Sequence, residues 1–340
     1  MLGNAMSSGR VRTRRAALGL ALTVAAVTAV SGCSALGSDS SNASSNGGGL
    51  EKSKIKVSIM PTTDLAPFWL AQDNGYFKAE GLEVEQVVAK SGQESMQKAI
   101  SGEVDIALST YTPFFVAKSK GVADIQLVAD GTSVNAKSNA IVTVPTSPVK
   151  TVGDLAGRRI AITALNTASD ILTKSVMKDH NVDYSKVTWV PVQLPNMAAA
   201  LKDNQVDAAY MPEPQLSQAA KVVGATPVID INTGATQDFP LTGYGSTTKW
   251  VQGNPKTLAA FQRAMKKATS EALADRSKVE PLLVKYAKID EDTAKLLTLP
   301  GYGSVLDARR LQRVPDLLLQ MGVITSKVDA APMIAPQATS

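Results

Sequence analysis

Residues able to do covalent chemistry are scarce in this chain. It has one histidine, His180, and one cysteine, Cys33. His180 sits in Lys178-Asp179-His180-Asn181 at the expected end of a helix. A cation there suits the negative pole of the helix dipole, so His180 reads as a cap. One His and one Cys cannot assemble most metal sites or nucleophile–base pairs. Neither a GxxxxGK[ST] loop nor a GxGxxG following a strand occurs, so nucleotide binding has no motif.

Binding chemistry is better supplied, at the ends of apolar runs. After 55–60 comes Pro61–Trp69, which offers the Thr63 hydroxyl and two aromatics, Phe68 and Trp69. Both aromatics could pack in the core near a helix start; one of them is expected to line a pocket. Ser91-Gly92-Gln93-Glu94 has capping-box spacing, and the free N–H groups of such a helix start suit a sulfonate or carboxylate. Ser109, Thr110 and Tyr111 follow the run 104–108. Asn166 and Thr167 follow 159–162 and open a helix. Met211 and Glu213 follow 206–210, with Glu213 held between two prolines. It reads equally as a structural anchor or as the counter-charge for a ligand amine. Together these loops describe a cleft for a small polar or anionic solute, with no catalytic residue, cofactor or metal.

The elements behind these loops alternate. IKVSIM (55–60), LEVEQVV (82–88), VDIAL (104–108), IQLVAD (125–130), NAIVTV (139–144), RIAIT (159–163), VTWVPV (187–192), VDAAYM (206–211) and TPVID (226–230) read as strands. Helical patterns lie between many of them, which predicts parallel-rich sheets with helices on both faces. Beyond about residue 250 helices dominate; Asn254-Pro255 opens one whose apolar face is Leu258, Phe261, Met265 and Ala268. Gly243-Tyr-Gly-Ser and Gly301-Tyr-Gly-Ser read as turns. Asp290–Asp292 and the clusters Lys266-Lys267 and Arg309-Arg310 with Arg313 read as solvated faces, with docking as the alternative for the basic ones. The segment Met96–Leu108 is echoed by Met197–Tyr210: a helix, a polar turn and a strand opening with Val-Asp. Two similar α/β halves facing each other follow from that echo.

Length and charge agree with this plan. The 340 residues correspond to about two domains at roughly 150 residues each. The net charge of +5 comes mostly from Arg10, Arg12, Arg14 and Arg15; after residue 32 there are 31 basic against 30 acidic residues, no footprint for nucleic acid. Residues 1–32 read as a signal peptide: a basic start, then fifteen small apolar residues, 16–30, too few for the roughly 20 of a spanning helix. Val30-Ser31-Gly32-Cys33 resembles a bacterial lipobox, which makes Cys33 the lipid attachment point, outside the cytoplasm. Arg14-Arg15 also permits twin-arginine export. Residues 33–53 follow as a flexible tether rich in Ser and Gly.

Residues 55–325 resemble the substrate-binding proteins of ABC importers, of the nitrate, sulfonate and taurine group. The resemblance rests on Ala66–Ala71 (APFWLA), Asn74–Val84 (NGYFKAEGLEV), Val104–Ala107, Leu155–Ala161 and Val206–Ala209. It implies a two-lobed type II periplasmic-binding-protein-like fold joined by two crossover strands, lobe I at 54–137 plus 245–335 and lobe II at 138–244. It also implies a monomer that delivers its solute to an ABC permease and its ATPase. The same fold group includes an enzyme that makes a thiamine pyrimidine with its own His and a cysteine-rich motif, which this chain lacks. A solute-sensing module is the other alternative.

Overall fold

β-branched and apolar runs form the strands where the alternation places them. The computed structural model describes residues 49–339; the signal peptide, Cys33 and the tether up to residue 48 lie outside them. The tether reading is corrected for 50–53, where Leu50 packs on the core, Glu51 accepts the Thr257 N–H at 3.0 Å and Lys52 pairs with Asp105 at 2.6 Å. The strands are β1 (Lys54–Ile59), β2 (Glu83–Val88), β3 (Ile106–Thr110), β4 (Ile125–Ser133), β5 (Asn139–Thr143), β6 (Arg159–Ile162), β7 (Thr188–Pro191), β8 (Ala208–Pro212), β9 (Thr226–Asp230), β10 (Pro240–Thr247) and β11 (Gly301–Tyr302). They make two sheets, ordered β11-β4-β10-β3-β1-β2 and β7-β6-β8-β5-β9. The chain passes from the first sheet to the second between β4 and β5, and returns between β9 and β10.

Each sheet is mixed, not simply parallel-rich. β2, β1 and β3 are parallel, as are β7, β6 and β8. β10 pairs antiparallel with β3 and β4, β11 with β4, and β5 with β8 and β9. The reversal falls where the chain crosses between sheets. β10 also corrects the reading of Gly243–Ser246 as a turn, because these residues lie in a central strand. The glycines are needed for space. A Cβ at Gly243 would lie 2.4 Å from the Tyr111 ring, and one at Gly245 would lie 2.7 Å from Phe114. Likewise Gly301 and Tyr302 form the edge strand β11.

The echoed segments occupy equivalent places. In the first sheet Asp105 accepts the N–H of Lys56 on β1 at 2.7 Å; in the second, Asp207 accepts that of Arg159 on β6 at 2.9 Å. Each Val-Asp thus ties the start of its strand to the parallel neighbour. Helix starts also follow the sequence. Ser91 caps the helix Gly92–Ile100, Thr167 and Asp170 form a capping box for Ala168–Asp179, and Pro255 opens Pro255–Ala274. His180 is the C-cap of Ala168–Asp179. Among the described residues no helix is long and apolar enough to cross a membrane.

Candidate ligand-binding site

Parallel strands point their carboxyl ends, and the helix starts that follow, toward one edge of a sheet, where ligands of open α/β sheets sit. Here the two edges face each other across a cavity of about 50 Å³. That is room for roughly three to five water-sized groups, the scale of a compact solute. The first sheet contributes Met60, Thr62 and Asp64 beyond β1, Gly92 beyond β2, Leu108 and Thr110 of β3, and Thr242 of β10. From the second come Asn139, Thr163, Thr167, Ser169, Tyr210 and Pro212.

Hydrogen bonds fix the wall on both sides. Asp64 accepts the hydroxyls of Thr62 at 2.7 Å and Thr132 at 2.6 Å. Across the cleft, the Thr167 hydroxyl donates to the Ala164 carbonyl at 2.8 Å and lies 2.8 Å from that of Ser169. The Thr167 N–H donates to Asp170, whose other oxygen takes the Lys174 ammonium at 2.8 Å; that ammonium stands 5.0 Å from the centre of the Trp189 ring. Asn139 donates to the Tyr210 phenol oxygen at 2.8 Å. Burial, with the charge of Asp64 adding to it, pushes the Tyr210 phenol well above its ordinary range. Direct bonds also join the lobes. Thr63 gives its N–H and its hydroxyl to the Glu213 carbonyl, at 3.3 and 3.2 Å, and the Ala168 N–H reaches the Thr110 hydroxyl at 3.5 Å.

Residues 62–278 match the NMT1/THI5-like family. The chain belongs to that family. Three relatives sharpen the comparison. A Haemophilus influenzae protein named for thiamine biosynthesis is 24% identical over 300 residues, 80% of this chain and 88% of the relative. A formylaminopyrimidine-binding protein of Halalkalibacterium halodurans is 24% identical over 234 residues, 67% and 68% of the two chains. A taurine-binding periplasmic protein of Escherichia coli is 28% identical over 169 residues, 49% and 51%. Among solved structures, the alkanesulfonate-binding protein SsuA of Xanthomonas axonopodis superposes with a TM-score of 0.72 at 17% identity, covering 85% of this chain and all of the other. The nitrate-binding protein NrtA of Synechocystis gives 0.68 at 15% identity, with 83% and 85% covered. These likenesses establish the two-lobed periplasmic-binding-protein-like fold.

Against this family frame the expected site residues divide. Gly92, Thr110 and Thr167 line the cavity. Several others hold that wall from behind. Ser91 caps the Glu94 N–H, and Ser109 donates to the Gly92 carbonyl at 2.9 Å. Gly92 itself has no room for a side chain, since a Cβ there would lie 2.5 Å from the Ser109 hydroxyl. Tyr111 is buried with its hydroxyl on Asp130 at 2.5 Å, and Asn166 turns the chain at φ 60° with its N–H on Asp170. Gln93 is exposed. Thr63 bonds the opposite lobe rather than the cavity. Met211 packs in the second-lobe core and borders an outer groove between the lobes.

The aromatic expectation is corrected: neither Phe68 nor Trp69 lines the cavity. Both are buried in the first-lobe core, Phe68 against Phe77 and Tyr244, and Trp69 stacked on Tyr286 at 5.1 Å. They follow the short helical turn Thr63–Leu65 and lie on the inner face of the helix Ala66–Asp73. Glu213 resolves toward the anchor. Its carboxylate takes the Ser217 hydroxyl at 2.7 Å and the Ser217 N–H at 3.1 Å. Thr62 and Asp64 lie in the loop 61–69 and Thr163 and Ser169 in the loop 163–169, both readable as binding loops, although other residues of those loops stood out in the sequence. Asn139, Tyr210 and Thr242 escaped sequence reasoning. For Tyr210 position was the available signal, since it lies near the end of a strand already recognised.

Proposed function

We propose that this family member captures a small polar solute between its two lobes and passes it to an ABC permease and its ATPase. In this reading the protein works as a monomer outside the cell membrane, held there by a lipid on Cys33. The candidate solutes are nitrate, alkanesulfonates, taurine and aminopyrimidines, the range implied by the relatives. The observation that carries the reading is the cavity lined from both sheets at their strand ends. Each lobe offers part of the polar wall, so a solute is fully bonded only when both lobes close on it. The bonds from Thr63 to Glu213 and from Ala168 to Thr110 form in the same closed state. Binding therefore shifts an open–closed population about the segments 134–138 and 231–239.

The test is a thermal-shift screen of the purified protein against nitrate, taurine, alkanesulfonates, aminopyrimidines and thiamine. A solute at 100 times its Kd adds about 2.7 kcal/mol, which raises the melting temperature by a few degrees. One chemical class is expected to give that shift, and truncating Asn166 and Thr167 together to Ala weakens its binding at least about tenfold. Unchanged affinity in that double variant would remove this helix start from the site.

A further inference from the structure

Five carboxylates are buried in the described part of the chain: Asp64, Asp105, Asp130, Asp170 and Glu213. Three have a cation. Asp105 takes Lys52, Asp130 takes Arg310, and Asp170 takes Lys174. Glu213 has none but accepts the backbone N–H and the hydroxyl of Ser217 at a helix start. Asp64 has neither a cation nor a backbone N–H, although only 6% of it is exposed. Its direct donors are two neutral hydroxyls, from Thr62 and Thr132. The Thr242 hydroxyl stands 3.4 Å away and is engaged with Thr132 at 2.7 Å. A carboxylate offers about four lone-pair directions, so part of its acceptor capacity is unused. Asp64 also lines the cleft cavity, where no Lys, Arg or His joins it. A buried carboxylate without a cation or a set of N–H donors is costly unless something else supplies them.

We propose that Asp64 is the recognition residue for an amino group on the solute. This rests on the solute-binding reading and narrows it. The site takes a compact solute bearing an ammonium or amino N–H donor, and it discriminates against nitrate and amine-free sulfonates, which would set an anion against a buried carboxylate. The amine partner weighed for Glu213 thus passes to Asp64, one lobe away.

The experiment uses matched pairs on the purified full chain: taurine against ethanesulfonate, and 4-aminopyrimidine against pyrimidine, with nitrate alongside. Calorimetric titration and thermal shift are run on the native protein and on Asp64→Asn. Binding of an amino-bearing member at least tenfold tighter than its amine-free partner is expected. Asp64→Asn is expected to lose at least tenfold for that member while its ligand-free melting temperature stays level or rises. A merely structural Asp64 would lower that temperature and leave the selectivity between partners unchanged. Ethanesulfonate or nitrate binding as tightly as the amino compounds overturns the assignment and leaves the solute-binding reading standing. No response to either amino compound also overturns it, and silence to nitrate and ethanesulfonate as well takes the broader reading down with it.

Discussion

Asp64 and Glu213 flank one contact between the lobes. The residue before Asp64, Thr63, bonds the Glu213 carbonyl, and both carboxylates are withdrawn from solvent. Their surroundings differ in kind. Glu213 accepts both the N–H and the hydroxyl of Ser217, so its charge is spent on holding the helix start that follows it. Asp64 is held by threonine hydroxyls of its own lobe, which can rotate, and one of its faces borders the cavity. A carboxylate held by a backbone N–H stabilises the fold. One left with rotatable donors beside a cavity is available to a ligand.

The sharpest way to break this contrast is at Glu213. Glu213→Ala leaves the Ser217 N–H and hydroxyl without their acceptor and empties a buried side-chain site, and is expected to cost about 3 kcal/mol. Thermal unfolding should show a fall of roughly 6–12 °C, where Asp64→Asn shows none. Thr132→Val comes next: it removes a direct donor to Asp64 and should cost about 1–2 kcal/mol by chemical denaturation, with amino-solute affinity changed because the carboxylate is repositioned. An unchanged affinity would mean that Thr132 does not orient Asp64.

The pH dependence sharpens the comparison further. Burial raises the Glu213 carboxyl above its ordinary value of 4.5, with the Ser217 hydroxyl and N–H opposing the rise. Between 4.5 and the raised value the folded chain binds more protons than the unfolded one. This group's contribution to stability is therefore complete below 4.5 and is lost as pH rises through the folded value. Glu213→Gln should flatten that part of the stability–pH curve, read by melting temperature across pH 4–7. The smallest effect is expected at the surface, where Lys221 of the second lobe meets Asp290 of the first at 2.9 Å. Lys221→Ala should change solute affinity by under about fivefold, and the change should vanish in high salt.

Much of this architecture was legible in the sequence because β1 to β9 carry the hydropathy of buried strands. The Val-Asp echo pointed to two equivalent units, and Asp105 and Asp207 give that echo its physical basis. β10 was not legible. Its core position is filled by Tyr111 and Phe114 reaching over Gly243 and Gly245, so the packing is recorded on α-helical residues more than a hundred positions away. Phe68 and Trp69 were misread for a related reason: amphipathic position shows that a residue is buried, not whether it is buried against core or cavity. Asp64 is one of 30 acidic residues, and although its loop stood out in the sequence, only the threonines brought to it by β4 and β10 set the residue itself apart.

The path from Thr167 through Asp170 and Lys174 to Trp189 has a practical side. Of the three tryptophans, Trp69 and Trp250 belong to the first-lobe body, stacked on Tyr286 and bonded to Asp105 respectively. Trp189 differs in that the ammonium beside it is joined to the cleft, through Asp170 to the Thr167 N–H. An indole's emission responds to a charge at that range. The second lobe thereby carries a built-in optical probe: the Trp189 signal should follow occupancy of the cleft, while the other two tryptophans supply a steady internal reference.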